Sequence, residues 1–458
     1  QINYESAINI IENFPDLKSE PFFGVVKPLQ VYQAYIEMLA TKQLFPAALA
    51  VSEKIRLYQF RDLLAKNSTP EQAKQNTEFF KPFVAVDFVE ILQTAQRLNA
   101  TILDYLPIES GLLIFLVKPD STIVAHHHKI DINQLNTLLD KYRSLTEVNN
   151  PRIDKLKTAL AEPTNNINID NTSTLSDELR ALLMPENISN ALPIEVESKL
   201  LVVASGKLSN FPFMDLKDIQ GNYLIDRFVI LQTPSISTLS TAARQRNKPD
   251  LVVRVENVAL GIPAGNSINN VALPVLSEAK DELKAATNFK ATALTGVVAV
   301  KDNLCEQGKN KHFLHLIAYS YLNDKEPLKS FVLLTPQTNE QGAVVNDGVV
   351  SLVELNNCIK NNDLVILSNN QAGFSSSTGD GIFFLANSLA VNNCSASLLS
   401  LWQVDNKIST LFIESFYEQL RKTPDIAISH RRALLKLREK YKSPSQWAAF
   451  VLMGEPVN

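Results

Sequence analysis

Thiolates and imidazoles carry much of protein chemistry near neutral pH, and in these 458 residues they are few and scattered. The three cysteines, Cys305, Cys358 and Cys394, are an odd number, widely spaced, with no CxxC and no neighbouring histidine pair. That pattern suggests neither a disulfide framework nor a zinc site. Each cysteine reads as a small buried hydrophobe, and a reducing, cytoplasmic setting is the expectation. Three of the six histidines form the run His126, His127 and His128. On a strand only His126 and His128 share a face, and no carboxylate or thiol stands at ligand spacing, so the run reads as a solvated strand end and no metal is expected. His315 reads as a hydrogen-bonded core residue. Asn369, Asn370 and Gln371 give a row of amides, which hydrogen-bond peptide backbones well. Asp380 stands between Gly379 and Gly381, where a carboxylate either accepts a basic side chain or opens a helix and satisfies its N–H groups.

Composition bounds what those residues serve. With 45% apolar and 20% charged residues, the chain can bury one large core or several smaller ones, so one to three domains are allowed. Its 44 basic and 48 acidic side chains leave a formal charge of -4, which gives no general attraction to nucleic acid or anionic lipid. The longest apolar stretches, such as 111–117 and 396–402, run seven residues, far short of the roughly 20 that span a bilayer. No cofactor is expected. The chain opens on Gln1 with no charged-then-apolar leader, which reads as a cut made in a longer protein.

Up to about Ala100 the apolar residues recur at helical spacing, and Val31 to Ala65 reads as two helices. Small residues Ala47, Ala48 and Ala50 mark where the second approaches the first. Either a degenerate helical repeat or a plain helical subdomain fits. From Thr101 the period becomes strand-like, with three short runs broken by Pro107, Gly111 and Pro119-Asp120, a hairpin-rich sheet edge. An Asn-rich stretch, about 147–174, reads as a surface loop or linker. Beyond it, short apolar strands alternate with amphipathic helices, which argues for a mostly parallel sheet covered on both faces. Ligands in such folds bind beyond the carboxyl ends of the strands. The basic run from His430 to Lys440 reads as the wet side of the last long helix.

Six runs along this region resemble the CHAT family, a branch of the caspase and separase clan of cysteine peptidases. They are KLLVVASGKLSNFPF (199–213), YLIDRFVILQTPSISTL (223–239), FLHLIAYS (313–320), DLVILSNNQAGFSSSTGDG (363–381), SLLSLWQVD (397–405) and WAAFVLMGEP (447–456). The resemblance implies an α/β fold: a caspase-like, mostly parallel sheet with helices on both faces over 101–458, preceded by a TPR-like helical region, 1–100. In active relatives the strand resembling FLHLIAYS ends in histidine then glycine, and the strand resembling LVILSNNQAG ends in the nucleophilic cysteine. Here those positions hold Tyr319, Ser320 and Asn370.

A thiolate must attack the scissile carbonyl, and an imidazole must hold and return its proton. An amide nitrogen is delocalised into its carbonyl and does not replace the thiolate. A phenol with pKa near 10 is on the order of a thousandfold too protonated at pH 7 to be the base. Ser320 adds bulk where glycine lets substrate approach. Catalytic residues are therefore expected to be absent, with Asn369, Asn370, Gln371, Asp380 and Trp402 left as candidates for a binding groove. The expected function is that of an inactive pseudopeptidase that binds, scaffolds or regulates through a protein or peptide partner, with no nucleic acid and no membrane involved. An active hydrolase with a relocated or non-cysteine nucleophile is the alternative, and a third reading makes the N-terminal helices the working surface. The family also implies a bacterial source, while the oligomeric state stays open.

Overall fold

The computed structural model describes residues 2–13, 27–66, 68–146, 172–246, 256–265, 267–268, 271–273, 276, 279–324, 326–372, 378–402 and 404–457. The Asn-rich stretch lies outside these residues up to 171, and from there the chain is already helical, Thr172–Leu183.

Five helices open the chain: Ile2–Asn13, Pro28–Thr41, Phe45–Lys66, Pro70–Phe79 and Phe88–Leu98. Their ends follow local chemistry. Thr69 accepts from the Gln72 N–H and Asp87 from the Glu90 N–H, satisfying donors that the first turn of a helix leaves unpaired. Asn99, at φ 46°, stops the fifth helix in the left-handed conformation that Asn tolerates. Ile36 and Leu39 on the second helix and Ala48 and Leu49 on the third are fully buried, so the two helices expected within Val31 to Ala65 pack as a pair.

Thirteen strands of the described residues form one mixed, mostly parallel sheet. In chain order they are β1 Ala100–Ile108, β2 Gly111–Val117, β3 Ile123–His128, β4 Ser198–Ala204, β5 Phe228–Thr233, β6 Asn257–Pro263, β7 Ala291–Gly296, β8 Phe313–Leu322, β9 Phe331–Leu333, β10 Val349–Ser351, β11 Leu364–Ala372, β12 Ala396–Ser400 and β13 Phe450–Gly454. Neighbours run β7-β6-β8-β11-β12, all parallel, and then β13, which is antiparallel to β12. A single ladder pair, Met453 with Gln232, joins β13 to a second group, β5-β4-β1-β2-β3. All ten residues of β8 are buried, as a strand covered on both faces demands.

One buried ion network ties the helices to this sheet. Arg56 of the third helix is 0% exposed, and its guanidinium meets both oxygens of Asp104, on β1, and Glu53 Oε1 at 2.8 Å. Glu53, also 0% exposed, accepts from the Ile236 N–H at 3.2 Å, the Ser237 N–H at 2.8 Å and the Ser237 hydroxyl at 2.6 Å. Its carboxylate thus closes the N-terminus of the helix Ile236–Arg246. Burial disfavours the Arg56 charge, but Asp104 and Glu53 outweigh it and hold the guanidinium pKa above its usual value. One turn on, Phe60 packs edge-on against Phe80, Phe83 and Phe383.

Three expectations are corrected here. Pro107 does not break a strand: it lies inside β1, opposite Leu112, beyond the point where β1 pairs with β4, so its missing N–H is not called on there. The basic run is a wet face only in part: Lys436 and Lys440 are exposed, but Arg431 is 5% exposed and donates to the carbonyls of Ile225 and Asp226 and to Glu197. His430 is buried beside it, its pKa pushed down to about 4 by that burial, and its Nε2–H donates to the Phe450 carbonyl. Finally, Cys305 and Cys358 are not separate hydrophobes. They form a disulfide across the helices Lys301–Gln307 and Leu352–Cys358, which removes the cysteine-based ground for a reducing compartment. Cys394 takes no part in this disulfide, and it is buried.

Arg56→Met leaves two buried carboxylates without a counter-charge. The substitution is expected to lower stability by about 3–5 kcal/mol, read as a fall in the urea midpoint.

Candidate functional site

The two strand tips singled out in the sequence are neighbours. Strands β8 and β11 pair in register from Phe313 with Leu364 to Ile317 with Ser368, then resume at Ser320 with Asn370, Tyr321 with Gln371 and Leu322 with Ala372. Three steps along β8 thus answer two along β11, so β8 carries one extra residue in a bulge at Ala318 and Tyr319, opposite Asn369. Bulges re-aim side chains and recur beside functional sites. Tyr319 is 2% exposed and joins a small apolar cluster with Ile317, Tyr321, Phe331 and Leu333, separate from the main core. Ser320 is buried too. The Ser368 hydroxyl donates to the Leu316 carbonyl at 3.2 Å and so is engaged by backbone. Nothing in the sequence pattern signals the bulge, because a bulge is a property of paired strands.

The histidines and cysteines sit away from these tips. His315 lies mid-strand and fully buried, its Nε2 3.0 Å from Glu282 Oε1 and its Nδ1 3.1 Å from the Tyr417 hydroxyl. His312 precedes β8 and meets Asp363, which precedes β11, at 2.8 Å, at the opposite end of both strands. His126 and His128 hold their rings tilted to each other, 5.8 Å apart, on the edge strand β3. His127 Nε2 is 3.3 Å from the Ser110 hydroxyl at the β1–β2 turn, a serine–histidine contact on the far group of strands. Among the described residues no cluster of three or more His, Cys, Asp or Glu could hold a metal ion.

Beyond the tip of β11, the helix Asp380–Val391 begins behind Gly379, whose φ of 82° and close approach to the Gly206 carbonyl suit only glycine. Asp380 does not receive the helix's first free N–H groups. Asp324 takes the Gly381 N–H at 2.8 Å, while the Asp380 carboxylate accepts from the Thr378 hydroxyl at 2.7 Å. Asp324 was missed by sequence reasoning, and its signal is only positional, two residues past the end of β8. Burial, followed by the Asp324 charge and against the Thr378 hydrogen bond, pushes the Asp380 carboxyl up to about 6. Trp402 follows β12, the parallel neighbour of β11, is 4% exposed, and donates its indole N–H to the Ser445 carbonyl at 2.8 Å. The backbone therefore brings Tyr319, Ser320, Asn369, Asn370, Gln371 and Trp402 to adjoining strand ends.

A narrow cleft with only about 20 Å³ of cavity space, room for about one water, lies beside Trp402, with Tyr142, Arg143, Lys207, Asn210 and Phe211 among its walls. Below it the Tyr142 hydroxyl donates to Asp215 Oδ2 at 2.7 Å, and burial pushes the Asp215 carboxyl up to about 7.

The CHAT domain family model matches residues 172–455. This chain belongs to the CHAT family. It is 24% identical over 302 residues to the human tetratricopeptide repeat protein 28, and 21% identical over 310 residues to the mouse protein of that name. Each alignment covers 58% of this chain and 12% of the relative, so the CHAT chain spans about an eighth of those proteins. Two crystal structures of the Saccharomyces cerevisiae separase-securin complex share its fold, with TM-scores of 0.53 and 0.52 and 11% and 12% identity. Both match 99% of this chain and 38% and 37% of the solved one. The caspase-like architecture and helical N-terminal region of this CHAT protein agree with the fold expected from its sequence.

Asp215 supplies a test of the cleft wall. Its folded carboxyl holds a proton up to about pH 7, while an unfolded aspartate loses it near 3.9. Between those values the folded state binds more protons, so this group's contribution to stability falls as pH rises, by up to about 1.4 kcal/mol per pH unit. Asp215→Asn keeps an acceptor for Tyr142 and is expected to remove that slope, with the variant more stable than wild type at pH 8 in denaturant titrations.

Proposed function

We propose that this CHAT protein is a catalytically inactive pseudopeptidase that binds a protein or peptide at its strand ends without cutting it, and so acts as a binding, scaffolding or regulatory module. The observation that carries the reading is the register of Ser320 with Asn370, beside a Tyr319 buried in an apolar cluster. Where active relatives need an imidazole and a thiolate on adjoining strands, these positions offer neither. Amides at Asn369, Asn370 and Gln371, the carboxyl of Asp380 and the indole edge of Trp402 are the groups proposed to border the groove. A protein partner agrees with the repeat protein among its relatives and with the separase-securin complex among structures of its fold. No helix among the described residues is long and apolar enough to cross a membrane. A bacterial setting is carried forward from the sequence resemblance, and the cytoplasmic setting expected from the cysteines loses its ground with the Cys305–Cys358 disulfide.

The alternative, a hydrolase with a relocated nucleophile, has one contact in its favour, Ser110 with His127 at 3.3 Å. It lies at a hairpin turn of antiparallel strands, away from the carboxyl ends of β8 and β11.

Fluorogenic peptides with Arg or Lys before the scissile bond are expected to show no turnover, and a cysteine-directed peptidyl probe no labelling of the native protein. Turnover abolished by Ser110→Ala, or by substitution of any one cysteine, would establish the hydrolase instead.

A further inference from the structure

We propose that Cys305 and Cys358 form a reversible thiol–disulfide site that locks the helix Leu352–Cys358 against the body of the fold, opened and closed by exchange with small thiols and disulfides. The two residues are 53 apart in sequence and their Cα atoms 3.8 Å apart in space. Sequence alone gave them no reason to meet. A second feature marks the same contact: at Gly308 an added Cβ would lie 2.5 Å from the Leu304 carbonyl oxygen and 2.8 Å from that of Cys358, so the bare glycine permits the approach. Lys309 and Lys360 then bridge, and the Asn310 N–H donates to the Lys360 carbonyl, pinning the two chains just past the pair.

Burial differs between the two cysteine residues. Cys358 is 1% exposed, whereas Cys305 is partly open to solvent. The reaction therefore has an order. The Cys305 thiolate attacks a sulfur of oxidised glutathione, breaking that S–S bond and releasing one glutathione thiolate, which takes up a proton. The Cys358 thiolate then attacks Cys305 in the mixed disulfide and expels the second glutathione thiolate. Two protein thiols lose two electrons in total and the glutathione disulfide gains them. Reduced glutathione in excess runs the sequence backwards.

What the bond holds is packing against the first half of β11, at Val365 and Leu367. Leu352, Leu355 and Ile359 face Leu385 and Leu389 of the helix Asp380–Val391, and the Asn392 amide donates to the Asn356 carbonyl. Closing the intervening loop restricts the unfolded chain, which stabilises the folded one.

The test equilibrates the full chain in oxidised or in reduced glutathione, then unfolds it without reductant and mass-tags free thiols. One tagged thiol, Cys394, is expected after oxidation and three after reduction. The oxidised form is expected to melt about 3–5 °C higher. Cys394→Ser keeps that difference, while Cys305→Ser and Cys358→Ser each abolish it. In Cys358→Ser, glutathione accumulates on Cys305, and in Cys305→Ser, Cys358 stays unmodified in the folded protein. Three tagged thiols after oxidation, or glutathione on Cys358 in place of Cys305, would overturn the proposal.

Discussion

A guanidinium does not shed its proton inside a protein, so burying Arg56 completely commits the fold to supplying counter-charge at one place. Asp104 on β1 and Glu53 one turn earlier on the same helix supply it, and Glu53 also closes the helix Ile236–Arg246. Three elements from different stretches of the chain are thus fixed by charges that have no other means of solvation. Phe60 extends the constraint to Phe383, on the helix that begins at Asp380. The N-terminal helices therefore help to set the position of the strand tips. Removing them would strip counter-charge and aromatic packing from the α/β region, whatever partner surface they carry themselves.

At the tip of β8, the ring of Tyr319 is held by apolar packing. The bulge in β8 leaves Ile317, Tyr319 and Tyr321 in one apolar cluster with Phe331 and Leu333. Burying an aromatic ring contributes about 2 kcal/mol, a large share of the net stability of a domain. An imidazole at the same place would lose part of that contact and would need a polar partner within an apolar cluster.

Periodicity made the element types legible from the sequence. The alternation of apolar strands with amphipathic helices after residue 198 matches the sheet observed, and the helix pair within Val31 to Ala65 matches too. What escaped were contacts between distant residues. Cys305 meets Cys358 and Arg431 meets the Ile225 carbonyl only once the chain has folded. Arg431 looked solvated because a charged residue on an amphipathic helix usually is, and only the carbonyls left free at Ile225 and Asp226 explain its burial. At the candidate site, the adjacency of Tyr319, Ser320 and Asn370 followed from strand order. The role of Asp324 did not, since a cap for the Gly381 N–H drawn from another segment leaves no local signature.

The position of the thiol pair separates two properties that the sequence had merged. Cys305 and Cys358 sit before the first residues of β8 and β11, whereas Tyr319, Ser320 and Asn370 sit towards the last. A parallel strand is stiff along its length, and the five or six residues between, at about 3.3 Å each, place these ends well beyond any direct reach of one sulfur to the tips. The thiols released by reduction of the pair therefore cannot act as a nucleophile at the strand tips. Its influence on the groove has to pass through packing, from the helix Leu352–Cys358 to the helix Asp380–Val391, where Leu355 and Leu389 share a wall. A redox change there would alter how firmly that packing is held and would leave the side chains at the strand tips as they are.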